Sequence, residues 1–130
     1  MPAPFKPPGY NSVSPYLIVE GASRTIEFLV EVFDAVELRR MAAPGNSRQV
    51  MHAEVRIDDT VVMLADAPEG MAPVPAHVHV YVADVDATYR RALAAGAQSV
   101  QDPVKKEDDD KRGGVKEGSG TTWWIGTKVG

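Results

Sequence analysis

The sequence predicts an α+β fold made of two βαβββ modules. Residues 15–33 and 77–95 each place a short apolar strand before an amphipathic helix, and segments with the two-residue alternation of strands follow both. The repeat lies in pattern and offset, not in residue identity. The 130-residue chain is therefore predicted to be a single domain. Its predicted parts are an extended proline-rich arm over residues 1–13, a first module over 14–66 and a second module over 76–130.

The first module opens with a short apolar strand over residues 15–19. A helix is predicted to begin within residues 21–23. A second strand is predicted over residues 36–41, followed by a loop over residues 42–47. The apolar residues of the helix recur at spacings near 3.6 and define its buried face: Ile26, Leu29 and Phe33.

A β-hairpin is the clearest local signal of the first module. Two strands, over residues 50–57 and 61–65, flank a turn at Asp58-Asp59. If Ile57 pairs with Thr60, Glu54 lies opposite Met63, whereas a slip of one residue would move every side chain to the other face. The alternation of the first strand predicts Met51, Ala53, Val55 and Ile57 beneath a helix, and His52, Glu54 and Arg56 on the opposite face.

The second module follows a linker over residues 66–75. A strand over 77–82 leads into a helix over 85–95, with Asp84 as its N-cap and Gly96 as the C′ residue. The apolar stripe of this helix is predicted to contain Val85, Tyr89, Ala92 and Leu93, while the strand presents Val78, Val80 and Val82 to the helix and His77, His79 and Tyr81 to the other side.

The last third of the chain completes the second module. A strand is predicted over residues 99–105, and the dense charge run over residues 106–112 is interpreted as a solvated turn. Val115 and Lys116 are predicted to pair with a terminal strand over residues 121–126. In that strand, Trp123 is expected in the core and Trp124 on the opposite face.

Composition narrows the classes of function. The chain has no cysteine, which excludes disulfides, thiolate metal sites and a cysteine nucleophile. The net charge of −4, without a basic patch, argues against nucleic acid as a partner. No apolar run reaches membrane-spanning length, and residues 1–9 lack the apolar stretch of a secretory signal. A cytoplasmic protein that does not associate with a membrane is therefore expected.

The chain resembles the vicinal oxygen chelate superfamily, which includes glyoxalase I, bleomycin-resistance proteins and extradiol dioxygenases. Within it, the resemblance is to small glyoxalase-like proteins related to a phosphonate-operon gene product. It implies a curved mixed sheet that forms a trough, with the helices on the outer face. The segments that carry the resemblance are residues 15–19, 26–28, 50–57, 61–66, 79–87 and 113–123.

The resemblance also implies where a metal would bind. Metal-using relatives take four ligands from the first and last strands of the two modules, and these positions correspond to Ser14, Met63, His77 and Trp124. Of these, His77 alone is a good ligand, because a thioether is too soft for hard or borderline ions and an indole cannot ligate. No metal and no other cofactor is therefore expected. An alternative is a rearranged metal site that uses His52, Glu54, His77 and His79.

The trough face suggests a small-molecule site, because aromatic walls with a few polar groups suit a small organic ligand. The predicted function is capture of such a ligand. The alternatives are a metal-dependent lyase, isomerase or dioxygenase of glyoxalase type, metal-free general-base chemistry by Glu54, and a dimeric interaction module. The predicted ligand-binding residues are Tyr16, His52, Glu54, Met63, His77, His79, Tyr81 and Trp124.

A homodimer is expected as well, because relatives often complete the trough across a two-fold axis and isologous dimers are common. The arm offers Phe5 and Tyr10, which it has few ways to bury alone. We expect the arm to lie across the partner or to cover a sheet edge.

Overall fold

The computed structural model describes residues 4–130, so residues 1–3 of the predicted arm lie outside the described part of the chain. The α+β prediction is confirmed, because each half runs strand, helix, strand, strand, strand. Within residues 4–130, neither helix is both long and apolar enough to cross a membrane. The elements are β1 (Tyr16–Val19), α1 (Ala22–Phe33), β2 (Val36–Ala43), β3 (Asn46–Ile57), β4 (Thr60–Asp66), β5 (His77–Tyr81), α2 (Val85–Ala94), β6 (Gln98–Lys105), β7 (Asp110–Lys116) and β8 (Thr122–Lys128).

The two halves have the same sheet topology. The first sheet has the strand order β1-β4-β3-β2, and the second sheet has the order β5-β8-β7-β6. In each sheet the first strand pairs parallel with the last strand of the same half, and the remaining neighbours are antiparallel. This arrangement places β1 and β5 at sheet edges and gives each half its own mixed sheet.

The central hairpin of the first sheet has the predicted register. Ile57 pairs with Thr60, and Glu54 pairs with Met63. The tight turn is made possible by Asp58, which adopts a left-handed φ of 51°. Because the register is fixed here, Glu54 lies on the face of the sheet opposite the helices.

The prediction that Met51 lies beneath a helix is wrong, since its side chain is 44% exposed. The register between β2 and β3 moves from the pair Met41–His52 to the pair Ala42–Val50. Met51 is therefore the extra residue of a β-bulge, and the alternation restarts beyond it. Val50 is buried in its place.

The start of α1 is stabilised from across the first sheet. The Asp66 Oδ1 atom accepts hydrogen bonds from the backbone N–H groups of Gly21 (3.0 Å) and Ala22 (2.8 Å), while Oδ2 accepts from the Val50 N–H (2.8 Å). A carboxylate at a helix N-terminus is also favoured by the helix dipole. Asp66, the last residue of β4, thus joins the start of α1 to β3.

Helix α2 has the predicted caps. Asp84 accepts a hydrogen bond from the Ala87 N–H at 3.1 Å, and Gly96 follows the helix with a φ of 101°. Leu93 does not belong to the buried stripe, because it is 38% exposed. It lies one residue beyond the buried Ala92, which turns it about 100° away from the core.

Two predicted loops are wrong in extent. The loop over 42–47 is reduced to the two residues between β2 and β3, because both strands extend beyond their apolar centres. The charge run over 106–112 is not solvated throughout. Its last three residues belong to β7, and Asp110 is only 8% exposed because it pairs with Lys128 and accepts hydrogen bonds from neighbouring side chains.

The helix-facing sides of both sheets contribute to one core. Trp123 is fully buried, as predicted, and its ring centroid lies 5.6 Å from that of Phe33 in α1. Val80 is buried, but its neighbours Val78 and Val82 are only half-buried because they lie on and just beyond an edge strand.

Polar contacts also join the two halves. The Arg91 guanidinium donates to the backbone oxygen of Val32 at 2.6 Å, near the end of α1. In the same way, the Thr25 hydroxyl donates to the buried Glu117 carboxylate at 3.3 Å. The first half of the chain is therefore joined to the second by both packing and hydrogen bonds.

Candidate functional site

The eight predicted ligand-binding residues fall into two groups of four, one on each sheet. They lie on the sides of the sheets opposite the helices. Met63 pairs with both Tyr16 and Glu54 in the first sheet, and His79 pairs with Trp124 in the second. The first-sheet polar face consists of Tyr16, His52, Glu54 and Met63, and the second-sheet polar face consists of His77, His79, Tyr81 and Trp124.

On the first-sheet polar face, three side chains form a continuous hydrogen-bonded chain. The Glu54 Oε2 atom lies 2.7 Å from His52 Nε2, and His52 Nδ1 lies 2.9 Å from the Tyr16 hydroxyl. An ionised carboxylate only accepts hydrogen bonds, so Nε2 carries a proton, and in the neutral form of the ring Nδ1 is then the acceptor for the Tyr16 O–H. Along this chain of hydrogen bonds, the groups follow in the order carboxylate, imidazole and hydroxyl.

The arm contacts the same face of its own chain. The Tyr10 hydroxyl donates to Glu54 Oε1, and the Asn11 amide donates to the Asp59 oxygen (3.3 Å) and the Thr60 hydroxyl (3.1 Å). That the arm lies across the partner or covers a sheet edge stays a prediction; within the described residues, Tyr10 and Asn11 contact β3, β4 and the turn between them. The contact of Tyr10 is chemically favourable, because a hydrogen bond from a phenol to a buried carboxylate is stronger than one between neutral groups.

Glu54 is 6% exposed and remains an ionised group. Burial by itself raises the pKa of this carboxyl group, but the hydrogen bonds from Tyr10 and His52 outweigh burial and bring the pKa below its usual value. The same contact raises the pKa of the Tyr10 phenol, because ionising Tyr10 would place a second negative charge beside Glu54. The structure therefore holds Glu54 as an anion that orients its neighbours.

On the second-sheet polar face, Arg112 connects most of the polar groups. Its guanidinium donates to Asp110 Oδ2 (2.8 Å), to Asp108 Oδ2 (3.2 Å) and to His79 Nε2 (3.0 Å). Tyr81 donates to the same Asp110 oxygen at 2.6 Å, and this hydrogen bond raises the pKa of the phenol. Asp110 is thus satisfied by a cation and a phenol together.

His79 is held as a neutral imidazole. Burial, followed by the charge of Arg112, lowers the pKa of this side chain, because both disfavour a second cation. Since Arg112 donates to Nε2, that nitrogen accepts and the proton lies on Nδ1. His79 also packs edge-on against Tyr81, with ring centroids 4.7 Å apart.

Trp124 contributes a large aromatic ring to the second-sheet polar face. Its indole N–H donates to His77 Nδ1 at 3.0 Å, and the two rings are nearly parallel, at 12°. The indole lies directly over Gly114, where an added Cβ atom would come within 2.6 Å of the ring. Any larger side chain at this position would therefore displace the indole.

Two cavities border the second-sheet polar face. One of about 320 Å³ is lined by Trp124, Arg112 and Gln101 among others. Another, of about 900 Å³, extends from Tyr81 to the end of α1 and the turn before α2. Asp110 lines both cavities, so the carboxylate that holds Arg112 and Tyr81 is also part of their walls.

Sequence reasoning missed three contributors. The prediction of a solvated turn at Asp110 and Arg112 is wrong, and two-residue alternation counted back from the core residue Val115 places Gly114, Arg112 and Asp110 on the polar side. Tyr10 was considered only as an interface anchor. Nothing in the sequence pairs it with a carboxylate 44 residues away.

The residues at the family's metal positions do not fit a metal ion. Ser14, Met63 and Trp124 remain poor donors, and the Nδ1 atom of His77 already accepts the indole N–H. In the rearranged alternative, His52 and Glu54 lie on the first sheet and His77 and His79 on the second. Within residues 4–130, no group of three or more His, Cys, Asp or Glu side chains is placed to hold a metal.

The sequence of this chain is similar to those of known proteins. Residues 10–125 match the family described as the Glyoxalase/Bleomycin resistance protein/Dioxygenase superfamily. An uncharacterised protein of Mycobacterium bovis is 36% identical over 129 residues, which cover 91% of this chain and 84% of that protein.

Solved structures extend the similarity to the fold. TioX from Micromonospora sp. ML1 is 26% identical, with a TM-score of 0.74, over 92% of this chain and 99% of TioX. The PhnB protein from Bacillus cereus is 19% identical, with a TM-score of 0.71, over 90% of this chain and 99% of that chain; this identity supports the fold alone. From the sequence match over residues 10–125 and the repeated βαβββ architecture, the chain belongs to the Glyoxalase/Bleomycin resistance protein/Dioxygenase superfamily, also called the vicinal oxygen chelate superfamily.

Proposed function

We propose that this protein binds a small, flat organic molecule on its polar sheet faces without the metal tetrad of its superfamily. The observation that carries the proposal is Trp124, a half-buried indole that packs against Gly114 beside a cavity of about 320 Å³. An aromatic wall with a few fixed polar groups is the usual composition of a small-molecule site. The charged groups of that wall are those of Lys106, Asp108, Asp110 and Arg112.

The two polar faces offer different groups for ligand binding. His77 and Trp124 offer a pair of nearly parallel rings, while Tyr81 is 63% exposed and offers a second aromatic edge. The first-sheet polar face would supply hydrogen bonds through Tyr16 and His52. Superfamily membership supports a ligand on this side of the sheets, and the donor chemistry argues for binding without a metal.

We also propose a homodimer as the binding form. Phe5 is 85% exposed and Val13 is 82% exposed, so the arm carries apolar surface that its own chain leaves uncovered. Sedimentation is expected to give about 28 kDa, twice the 14.0 kDa of one chain. Deleting residues 1–12, or Phe5→Ser alone, should weaken association several-fold, whereas Tyr10→Phe should not, since Tyr10 contacts Glu54 of its own chain. A monomer at micromolar concentration would contradict this part.

Fluorescence tests the binding site directly. Trp123 is buried and Trp124 is half-buried, so a flat aromatic ligand should quench the emission of Trp124 selectively. A panel of small aromatic acids and phenols would be titrated against the wild type and Trp124→Phe. Quenching that is lost in Trp124→Phe, together with a rise in melting temperature, is the expected result.

Metal analysis provides the complementary test. Protein purified without an affinity tag would be analysed for nickel, zinc, iron and manganese. Less than stoichiometric metal, with ligand binding unchanged by a chelator, supports the proposal. Stoichiometric metal that includes His77 in its coordination would contradict it and would favour a lyase, isomerase or dioxygenase.

A further inference from the structure

The tyrosines of this chain differ in what they hydrogen-bond to. The described part of the chain includes all four of them. Three donate to a carboxylate: Tyr10 to Glu54, Tyr81 to Asp110 and Tyr89 to Asp102. Within residues 4–130, Tyr16 is the one tyrosine whose hydroxyl contacts an imidazole, at 2.9 Å from His52 Nδ1.

This difference has a chemical consequence. A carboxylate is a weak base, so a phenol that donates to it keeps its proton, and the pKa values of Tyr10 and Tyr81 are accordingly raised. A neutral imidazole is a far stronger base and can accept the proton itself. Glu54 accepts from the other side of the same ring, at 2.7 Å, and would stabilise the imidazolium that forms.

We propose that Glu54, His52 and Tyr16 form a proton relay that makes Tyr16 a general acid–base toward a ligand on the first-sheet polar face. A hydroxyl, an imidazole base and an orienting carboxylate, in this order, are the parts of an activated hydroxyl group. Tyr16 is 49% exposed and meets the ligand, while Glu54 is 6% exposed and holds the ring. His52 and Glu54 are positioning residues in this scheme.

The relay suits a small molecule with a weakly acidic proton, such as a carbonyl compound with an activated C–H group. The Tyr16 proton passes to His52 Nδ1, and the phenolate oxygen takes the ligand's proton, leaving an enolate. Tyr16 then returns that proton to another atom of the enolate, and His52 returns the first proton to Tyr16. The net change is an isomerisation, with no oxidant, reductant or other co-reactant.

The relay rests on the proposed function only in treating the first-sheet polar face as a ligand surface. Its test therefore uses a reagent that needs no bound ligand, phenylmethanesulfonyl fluoride. The Tyr16 oxygen attacks sulfur, the sulfur–fluorine bond breaks, fluoride leaves, and the phenol proton passes to His52. Peptide mass spectrometry measures the rate of labelling at each tyrosine of the intact protein.

Tyr81 is the internal control, because it is also exposed but donates to a carboxylate. We expect Tyr16 to be labelled about 100-fold faster than Tyr81, which is the lower end of the range typical of general-base assistance. His52→Ala should reduce Tyr16 labelling to the level of Tyr81, and free imidazole should restore it. A purely structural role for His52 would not be rescued by imidazole.

A second variant keeps the test decisive if His52→Ala is poorly folded. Glu54→Gln retains an oxygen that can accept the His52 N–H but removes the charge, so Tyr16 labelling should fall while Tyr81 labelling is unchanged. Equal labelling of Tyr16 and Tyr81 in the wild type overturns the relay. So does a His52→Ala variant that folds and is labelled as fast as the wild type. Quenching at Trp124 is unaffected by either result, so the failure of the relay and the failure of ligand binding are distinguishable.

Discussion

The two polar faces have the same topology but different electrostatics. On the first sheet, a single carboxylate, Glu54, is satisfied by a phenol and an imidazole. On the second sheet, Asp110 is satisfied by a permanent cation, Arg112, together with a phenol. Both arrangements satisfy a buried carboxylate with side-chain hydrogen bonds. Only the arrangement on the first sheet leaves an imidazole nitrogen, that of His52, beside an exposed hydroxyl. A duplicated architecture therefore specifies where the polar side chains lie, while single residues decide their chemistry.

The largest effect should come from removing the carboxylates. Glu54→Ala would leave the Tyr10 hydroxyl and the His52 N–H without an acceptor, and should lower the free energy of unfolding by about 2–3 kcal/mol. Asp110→Ala should lower the free energy of unfolding by less, because Arg112 retains its ion pair with Asp108 and is itself partly exposed to water. Urea unfolding of both variants measures the difference. An equal or larger loss of stability in Asp110→Ala would show that a carboxylate paired with a cation contributes at least as much to stability as Glu54 does.

Gly114→Ala is expected to have the next largest effect. The added methyl group would come within 2.6 Å of the Trp124 ring and must displace it, at a cost of about 1–2 kcal/mol. The emission of Trp124 should shift at the same time. Gly118→Ala is the matched control, since an added Cβ atom there has nothing within 4 Å. Two variants of equal stability would mean that the indole has room to move.

The two faces should also respond to acid in different ranges. Because the pKa of His79 is lowered from 6.5, the unfolded chain binds a proton before the folded chain does. Stability should therefore be complete above pH 6.5 and decrease as the pH falls from 6.5 toward the folded pKa. The pKa of Glu54 is lowered from 4.5, so its contribution is retained above pH 4.5 and lost only as the pH falls further.

Melting temperatures between pH 7.5 and 3.5 check this order. His79→Gln should flatten the decrease just below pH 6.5 and leave the decrease below pH 4.5 unchanged, because Gln does not titrate. If His79→Gln leaves the whole profile as it is in the wild type, the imidazole of His79 is not the source of the first decrease.

Tyr10→Phe should have the smallest effect. It removes one hydrogen bond from Glu54 but keeps the ring and leaves the His52 contact in place, so the melting temperature should fall only slightly. The pKa of Glu54 should rise, because a donor to its ionised form is lost. Carboxyl-carbon NMR of selectively labelled glutamate would follow this titration. An unchanged Glu54 titration would mean that the arm does not hold the carboxylate in solution.

Much of the fold follows from local pattern. The hairpin register, the caps of α2 and the burial of Trp123 were predicted correctly because each depends on alternation or on capping chemistry within a few residues. The exposure of Met51 was not predicted. A bulge depends on how β2 pairs with β3, and the alternation of residues within β3 alone does not indicate it. The burial predicted for Leu93 was wrong for a similar reason, since the width of the buried face of a helix depends on the neighbouring elements.

The sequence by itself determined the α+β class, the repeated strand and helix order, the opposite faces of each strand and the poor metal donors at Ser14, Met63 and Trp124. These properties depend on residue type and on periods of 2 and 3.6 residues. The tertiary structure alone decided that Tyr10 meets Glu54, that Asp66 caps α1, and that Arg112 joins Asp110 to His79. Such contacts join side chains separated by tens of residues, and they exist only once the chain has closed both sheets around a common core.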